Sequence, residues 1–196
     1  MTIYGAGLVS NSAGIIGAQT GSNGTATVGG PGSTWTNSGN LTVGASGNGS
    51  LYVVSGGFVD NQTGTIGENA GSNGDVTVHG TGSTWQNADL FIGSAGHGTL
   101  TVSNGGRVDS TKSVMAKSAG SYATATVDGA VSEWSTAGYL EVGLAGNADL
   151  TISNGGFVNN SSGYAGLNSG ARGIIVVTGA GSRWSSTATV MIGGYG

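Results

Sequence analysis

Short apolar triplets recur along the chain at a nearly constant interval. Leu51-Tyr52-Val53, Val76-Thr77-Val78, Leu100-Thr101-Val102, Ala125-Thr126-Val127, Leu150-Thr151-Ile152 and Ile175-Val176-Val177 follow one another every 24 or 25 residues. Met1-Thr2-Ile3 and Ala26-Thr27-Val28 extend the series backwards. Alternation with period two puts the outer residues of each triplet on one face and the middle residue on the other, the signature of a half-buried strand. A second apolar column follows in each unit: Val9, Trp35, Val59, Trp85, Val108, Trp134, Val158 and Trp184. A third reads Ile16, Val43, Ile66, Ile92, Met115, Val142, Ala165 and Ile192, each followed by Gly except Met115, which Ala116 follows.

Three short strands per turn, joined by Gly, Asn and Ser corners, predict an all-β chain: a parallel β-helix of about eight turns of about 25 residues, forming one domain over residues 1–196. No 3.6-residue period is present, and each Gly costs a helix about 1 kcal/mol against Ala. The Trp residues are spaced 50, 49 and 50 apart, so the true repeat is two turns. A Trp on every turn would overfill a narrow core, whereas Trp alternating with Val fits. Trp35, Val59, Trp85, Val108, Trp134, Val158 and Trp184 are therefore the expected core ladder rather than exposed sugar-stacking platforms. At about 4.8 Å per strand, eight turns make a rod roughly 35–40 Å long.

The composition sharpens this picture. The chain has 42 Gly, no Cys and only 7% charged residues, with a net charge of −4. Gly and Ser abundance alone suggests low complexity, but 37% hydrophobic residues and a small net charge argue against a solvated disordered chain. No basic residue precedes Arg107, so a cationic patch for nucleic acid or anionic lipid is not expected. No apolar run is long enough for a transmembrane helix, and Met1-Thr2-Ile3-Tyr4-Gly5 does not read as a signal peptide. Without Cys there are no disulfides or thiolate metal sites.

The repeat Gly-x-Gly-Ser-Thr-Trp, Leu-Thr-Val-Gly, Gly-x-Leu-Thr-Val-x-x-Gly-Gly-x-Val, Ile-Gly resembles that of autotransporter (type V secretion) passengers and some sorted bacterial exoproteins. Residues 26–79 and 76–129 carry it most fully. The resemblance implies a β-solenoid surface protein, extracellular or at the bacterial cell surface, and specifies no activity. The outer-membrane barrel and secretion signal of that family are not in this sequence.

Catalysis is not expected. Asp75 and Asp149 fall in one slot three turns apart, about 14 Å by the strand spacing. That exceeds the roughly 5–9.5 Å between paired glycosidase carboxylates. His79 and His97 occupy different corners and read as surface residues, and neither a cofactor nor a metal is expected.

Three surfaces are candidates for contact. The middle slot of the first strand gives a Thr ladder, Thr27, Thr77, Thr101, Thr126 and Thr151, suited to ice or a glycan but equally to an ordinary solvent-facing strand. The outward slots of the third strand hold Phe91, Val114, Tyr164 and Met191, a candidate lateral contact against the alternative of scattered single exposures. The ends offer Met1, Thr2, Ile3, Val190, Ile192 and Tyr195 as an end-to-end contact, because neither end of this sequence shows a capping helix, a charged edge or Pro. The expected partner is thus another copy of the chain, stacked head to tail into a filament, or further coils of a longer passenger. A neighbouring cell surface is the other candidate partner.

Overall fold

A computed structural model describes residues 1–194. The chain coils eight times, and each coil contributes one rung to an eight-stranded parallel sheet. The first strands of coils 1 to 8 are Thr2–Ile3, Asn23–Gly29, Asn48–Val54, Asn73–His79, His97–Ser103, Tyr122–Asp128, Asn147–Ser153 and Arg172–Thr178. Register is kept without slippage, with Leu51 on Val76, Val76 on Leu100 and Leu100 on Ala125. The second and third strands form a twelve-stranded sheet wrapped around the other side.

Separate second and third strands are expected from the sequence. In four coils they run together as one bent strand: Phe58–Ile66, Thr84–Ile92, Glu133–Val142 and Phe157–Ala165. The bend carries Asn61, Asn87, Thr136 or Asn160, and only Glu133–Val142 adds a Gly there, Gly138, where the register shifts.

The three expected apolar columns are interior in coils 2 to 7. Trp85, Trp134, Val59, Val108, Val158, Ile66, Ile92, Val76 and Leu100 are fully buried. Trp35 is buried as well, while Trp184 is partly buried, lying in the last described coil with no rung stacked above it. A fourth inner column, not foreseen, alternates Gly14, Leu41, Gly64, Leu90, Ser113, Leu140, Gly163 and Val190.

This column explains the two-coil repeat. Each Trp indole leans onto the preceding coil, where the fourth column has its smallest residue. A Cβ added at Gly64 would lie 2.7 Å from Trp85 Cζ2 and 2.3 Å from Asn87 Oδ1. The coil bearing Trp therefore takes Leu in the fourth column, and the coil beneath it takes Val and Gly.

The same pairing satisfies the indole nitrogens. Asn11, Asn61 and Asn160 lie two residues past the Val of their coils and accept from Trp35, Trp85 and Trp184 Nε1 at 2.7, 2.8 and 2.6 Å. Asn61 Nδ2 donates onward to Asn87 Oδ1 at 2.7 Å. Buried polar groups must be paired in this way or cost their full desolvation.

At the corners, the Gly after the third column has positive φ, as in Gly44 at 75°. A Cβ on Gly44 would also sit 2.3 Å from the Asn73 carbonyl oxygen of the next coil.

Candidate functional site

The outer columns of the first sheet are as regular as the inner ones. Thr2, Thr27, Tyr52, Thr77, Thr101, Thr126, Thr151 and Val176 align rung by rung. The ladder named from sequence is thus a real outward column, interrupted by Tyr52. A second runs Thr25, Ser50, Asp75, Thr99, Thr124, Asp149 and Ile174. The two are both Thr only at Thr25/Thr27, Thr99/Thr101 and Thr124/Thr126, so no unbroken two-column Thr lattice forms.

The lateral stripe does not survive as a continuous patch. Its register is as expected, Phe91 on Val114, Val114 on Glu141, and Tyr164 on Met191. Val114, however, is only 4% exposed. It is flanked on its two sides by the longer chains of Phe91 and Glu141. Phe91 is half-buried, with Lys117 Nζ 4.5 Å from its ring centroid, and Tyr164 is half-buried too. Met191 is exposed, but it lies in the last coil.

The end-to-end candidates divide. Met1, Val190 and Ile192 are open to solvent, the last two at 50% and 66% exposure. Thr2 faces outward on the first rung. Ile3 is buried against Val28 and Gly7, which removes it from an open surface. Tyr195 lies outside the described residues. Of the large hydrophobic residues exposed, Met1, Tyr4, Leu8 and Ile15 are in coil 1, and Ile174, Val176, Val177, Val190, Met191 and Ile192 in coil 8. Coils 2 to 7 expose only Tyr52, Tyr122, Val131 and Tyr139.

The five basic residues are all engaged. Arg107 pairs with Asp109 at 2.7 Å and with Glu133, and Asp109 above all holds the guanidinium above its ordinary pKa. Lys112 binds Asp89 at 2.9 Å, which raises its pKa, and Arg172 binds Asp149 at 3.0 Å. Lys117 covers Phe91, and Arg183 lies 4.2 Å from the Phe157 ring centroid. Among the acids, Asp128 is held below its usual range by hydrogen bonds from Ser153 and Asn154. Burial raises Asp75 and Glu141.

Two concavities mark the outer surface. A trough of about 510 Å³ follows the bend between second and third strands, lined by Thr36, Asp60, Gln62, Gln86, Ala88 and Thr111. A depression of about 360 Å³ lies on the first sheet, lined chiefly by Asn73, Asp75, His97, Thr99 and Tyr122. Neither was foreseen. Their signal in the sequence is faint: amide and carboxyl side chains in adjacent rungs of one outward column. Among the described residues no group of three or more His, Asp or Glu is arranged to hold a metal ion, and no helix is long and apolar enough to cross a membrane.

No family model matches the chain, and no curated protein or solved structure matches it.

Proposed function

We propose that this chain is a non-enzymatic structural or adhesive β-solenoid that extends by coil-on-coil stacking. The observation that carries this reading is the phase of the two-coil alternation. Coil 8 is of the Trp type and coil 1 of the Val type, so coil 1 stacked on coil 8 continues the pattern unbroken. Val9 would follow Trp184, Gly14 would follow Val190, and Ile16 would follow Ile192, as Val59, Gly64 and Ile66 follow Trp35, Leu41 and Val43. The added coil could come from a second copy, giving an open, head-to-tail filament, or from further chain in a longer passenger.

The non-catalytic part of the reading is supported by the engagement of all five bases in ion pairs or ring contacts. An extracellular or bacterial cell-surface location rests on the resemblance of the repeat to autotransporter passengers.

The test is negative-stain microscopy and light scattering of the purified chain over a range of concentrations. Stacking predicts rods longer than one chain, lost when Val190→Glu and Ile192→Glu are combined. A parent chain that stays monomeric at every concentration removes the self-stacking form of the proposal. Cleavage of a polysaccharide, abolished by a point substitution, removes the non-enzymatic form.

A further inference from the structure

The depression on the first sheet arises where a regular ladder breaks. At the corner opening each first strand, Asn48 Nδ2 donates to Asn23 Oδ1 at 2.8 Å, and Asn73 Nδ2 donates to Asn48 Oδ1 at 2.9 Å. The next two rungs are His97 and Tyr122. His97 offers no amide to continue the ladder, so Asn73 Oδ1 is left to face the depression with its acceptor capacity unused by a neighbouring rung.

Two aromatic side chains take the place of the amides. The His97 and Tyr122 rings meet with centroids 6.0 Å apart and planes at 66°. Tyr122 is anchored from the far side: its hydroxyl donates to Asp149 Oδ2 at 2.8 Å, and Asp149 pairs with Arg172. The ring is therefore held in place while 37% of the residue stays exposed.

In the adjacent column, Asp75 stands between Ser50 and Thr99. Among the described residues it has no ion pair or side-chain hydrogen bond, in contrast to Asp89, Asp109, Asp128 and Asp149. The walls of the depression withdraw enough water to raise its pKa. A carboxylate with free acceptor capacity, a ladder-terminal amide oxygen, an imidazole and a fixed aromatic ring thus share one concavity, over small residues such as Gly74 and Gly98.

We propose that this depression binds a neutral saccharide. Asp75 and Asn73 would accept hydrogen bonds from sugar hydroxyls, His97 and Thr99 would complete the polar contacts, and the Tyr122 ring would pack against the apolar face of the sugar ring. The chemistry selects this class. An anion is repelled by the unpaired Asp75 carboxylate. A tightly held metal ion is disfavoured, since one carboxylate and one imidazole fall short of a group of three His, Asp or Glu ligands. A sugar uses both a hydroxyl-accepting carboxylate and a ring surface, the pairing of an apolar wall with a few placed polar groups that defines ligand sites. Unlike the Thr column, which recurs on most coils, this arrangement occurs once, where the Asn ladder stops. It does not depend on end-to-end stacking.

The test uses the full chain in native gels cast with dextran, mannan, xylan or β-glucan, with retardation converted to an apparent affinity. At least one polysaccharide is expected to retard the parent chain. Asp75→Asn and Tyr122→Ala should each weaken that affinity about tenfold or more, the scale of a lost charge-assisted bond or aromatic anchor. Tyr122→Phe, which keeps the ring, should stay close to the parent. Asp60→Asn, in the separate trough, should bind as the parent does. Circular dichroism confirms that each variant keeps its fold, and Asp75→Asn, an isosteric change on the outer face, keeps the experiment decisive if Tyr122→Ala unfolds. Absence of retardation on all four polysaccharides, retardation unchanged in Asp75→Asn, or loss in Asp60→Asn overturns the assignment.

Discussion

Gly64→Ala adds one methyl group to the fourth inner column, at the point where the two-coil repeat is most tightly determined. The new Cβ would lie 2.3 Å from Asn87 Oδ1 and 2.7 Å from Trp85 Cζ2, and both neighbours are buried. Neither is free to retreat. Asn87 is held by Asn61 Nδ2 at 2.7 Å, and the Trp85 nitrogen by Asn61 Oδ1 at 2.8 Å. Overpacking of this kind costs about 1–3 kcal/mol. Any shift that breaks the indole hydrogen bond adds to that, because a buried donor without a partner costs about 1–3 kcal/mol. The expected destabilisation is therefore about 2–4 kcal/mol. Urea unfolding followed by Trp fluorescence reads it directly, since three of the four Trp side chains are buried. Ser113→Gly, at the same column in the next repeat, is the control. It deletes a hydroxyl bonded to Ser110 at 2.7 Å and Thr136 at 3.1 Å, which still bond each other, and should cost about 1–2 kcal/mol with no clash against the indole. A Gly64→Ala variant within about 0.5 kcal/mol of the parent, the range of an inconsequential change, would refute the claim that Trp packing forces the alternation of Leu with Gly.

Val131 occupies a corner slot filled by Gly32, Gly82 and Gly181 in the other repeats, and it keeps their left-handed conformation with φ 61° while 78% exposed. Val131→Gly should stabilise by about 1 kcal/mol, the left-handed cost less the added freedom of Gly in the unfolded chain. A melting temperature that falls would contradict this. Ala116, buried at φ 51° where most coils have Gly, should respond in the same direction on Ala116→Gly, by less. Burial raises the pKa of Glu141, so its charged form is disfavoured in the fold. That contribution to stability is fully present below the unfolded pKa and lost as pH rises through the raised folded value. Glu141→Gln should therefore raise the melting temperature at neutral pH and make no difference well below pH 4, and equal melting at both pH values would contradict it. Asp128 has the opposite sign: its depressed pKa gives stability above the unfolded value that is lost as pH falls through the folded one, so Asp128→Asn should flatten the acid limb of the melting profile.

The coil count, the three apolar columns and the alternation of Trp with Val were legible because each depends only on period and residue type. The pairing of Trp35 with Val59 and of Trp85 with Val108 follows from counting. The fourth column was missed for a definable reason. Of the third strand, the expected columns took only Val43 and Ile92, next to the corner Gly, although period two from them leads inward to Leu41 and Leu90. Period two continued from Trp85 through Asn87 places that amide inside, beside the indole whose nitrogen needs an acceptor in that interior. The failure of the lateral stripe has a different cause. Alternation fixes that Val114 points outward, but its exposure depends on how far Phe91 and Glu141 reach over it, and spacing carries no information on that. The depression at Asp75 was hidden likewise, since it depends on which side chains stand next to one another across rungs about 4.8 Å apart.

The third double coil shows that these positions change together. Where the second repeat has Asn61, Gly64 and Asn87 around Trp85, the third has Ser110, Ser113 and Thr136 around Trp134. The added Cβ of Ser113 fits because the amide at the Asn87 position has become the shorter Thr136, and the three hydroxyls close a triangle at 2.7, 3.1 and 3.1 Å. The exchange has a cost: with Ser in place of Asn two residues past Val108, Trp134 Nε1 is buried without a hydrogen-bond partner. Ala116 and Val131, two of the three apolar residues that stand in Gly corner slots at positive φ (the other is Ala6 in coil 1), lie in the same stretch. One repeat thus gathers an orphaned indole and two strained corners, whereas the two repeats before it satisfy the indole and leave an amide nitrogen, Asn37 Nδ2 or Asn87 Nδ2, unpaired. A solenoid tolerates this because its stability is a sum over adjacent coils. The well-packed repeats on either side hold the weak one in register, at the expense of making residues 110–136 the interior segment most prone to open locally.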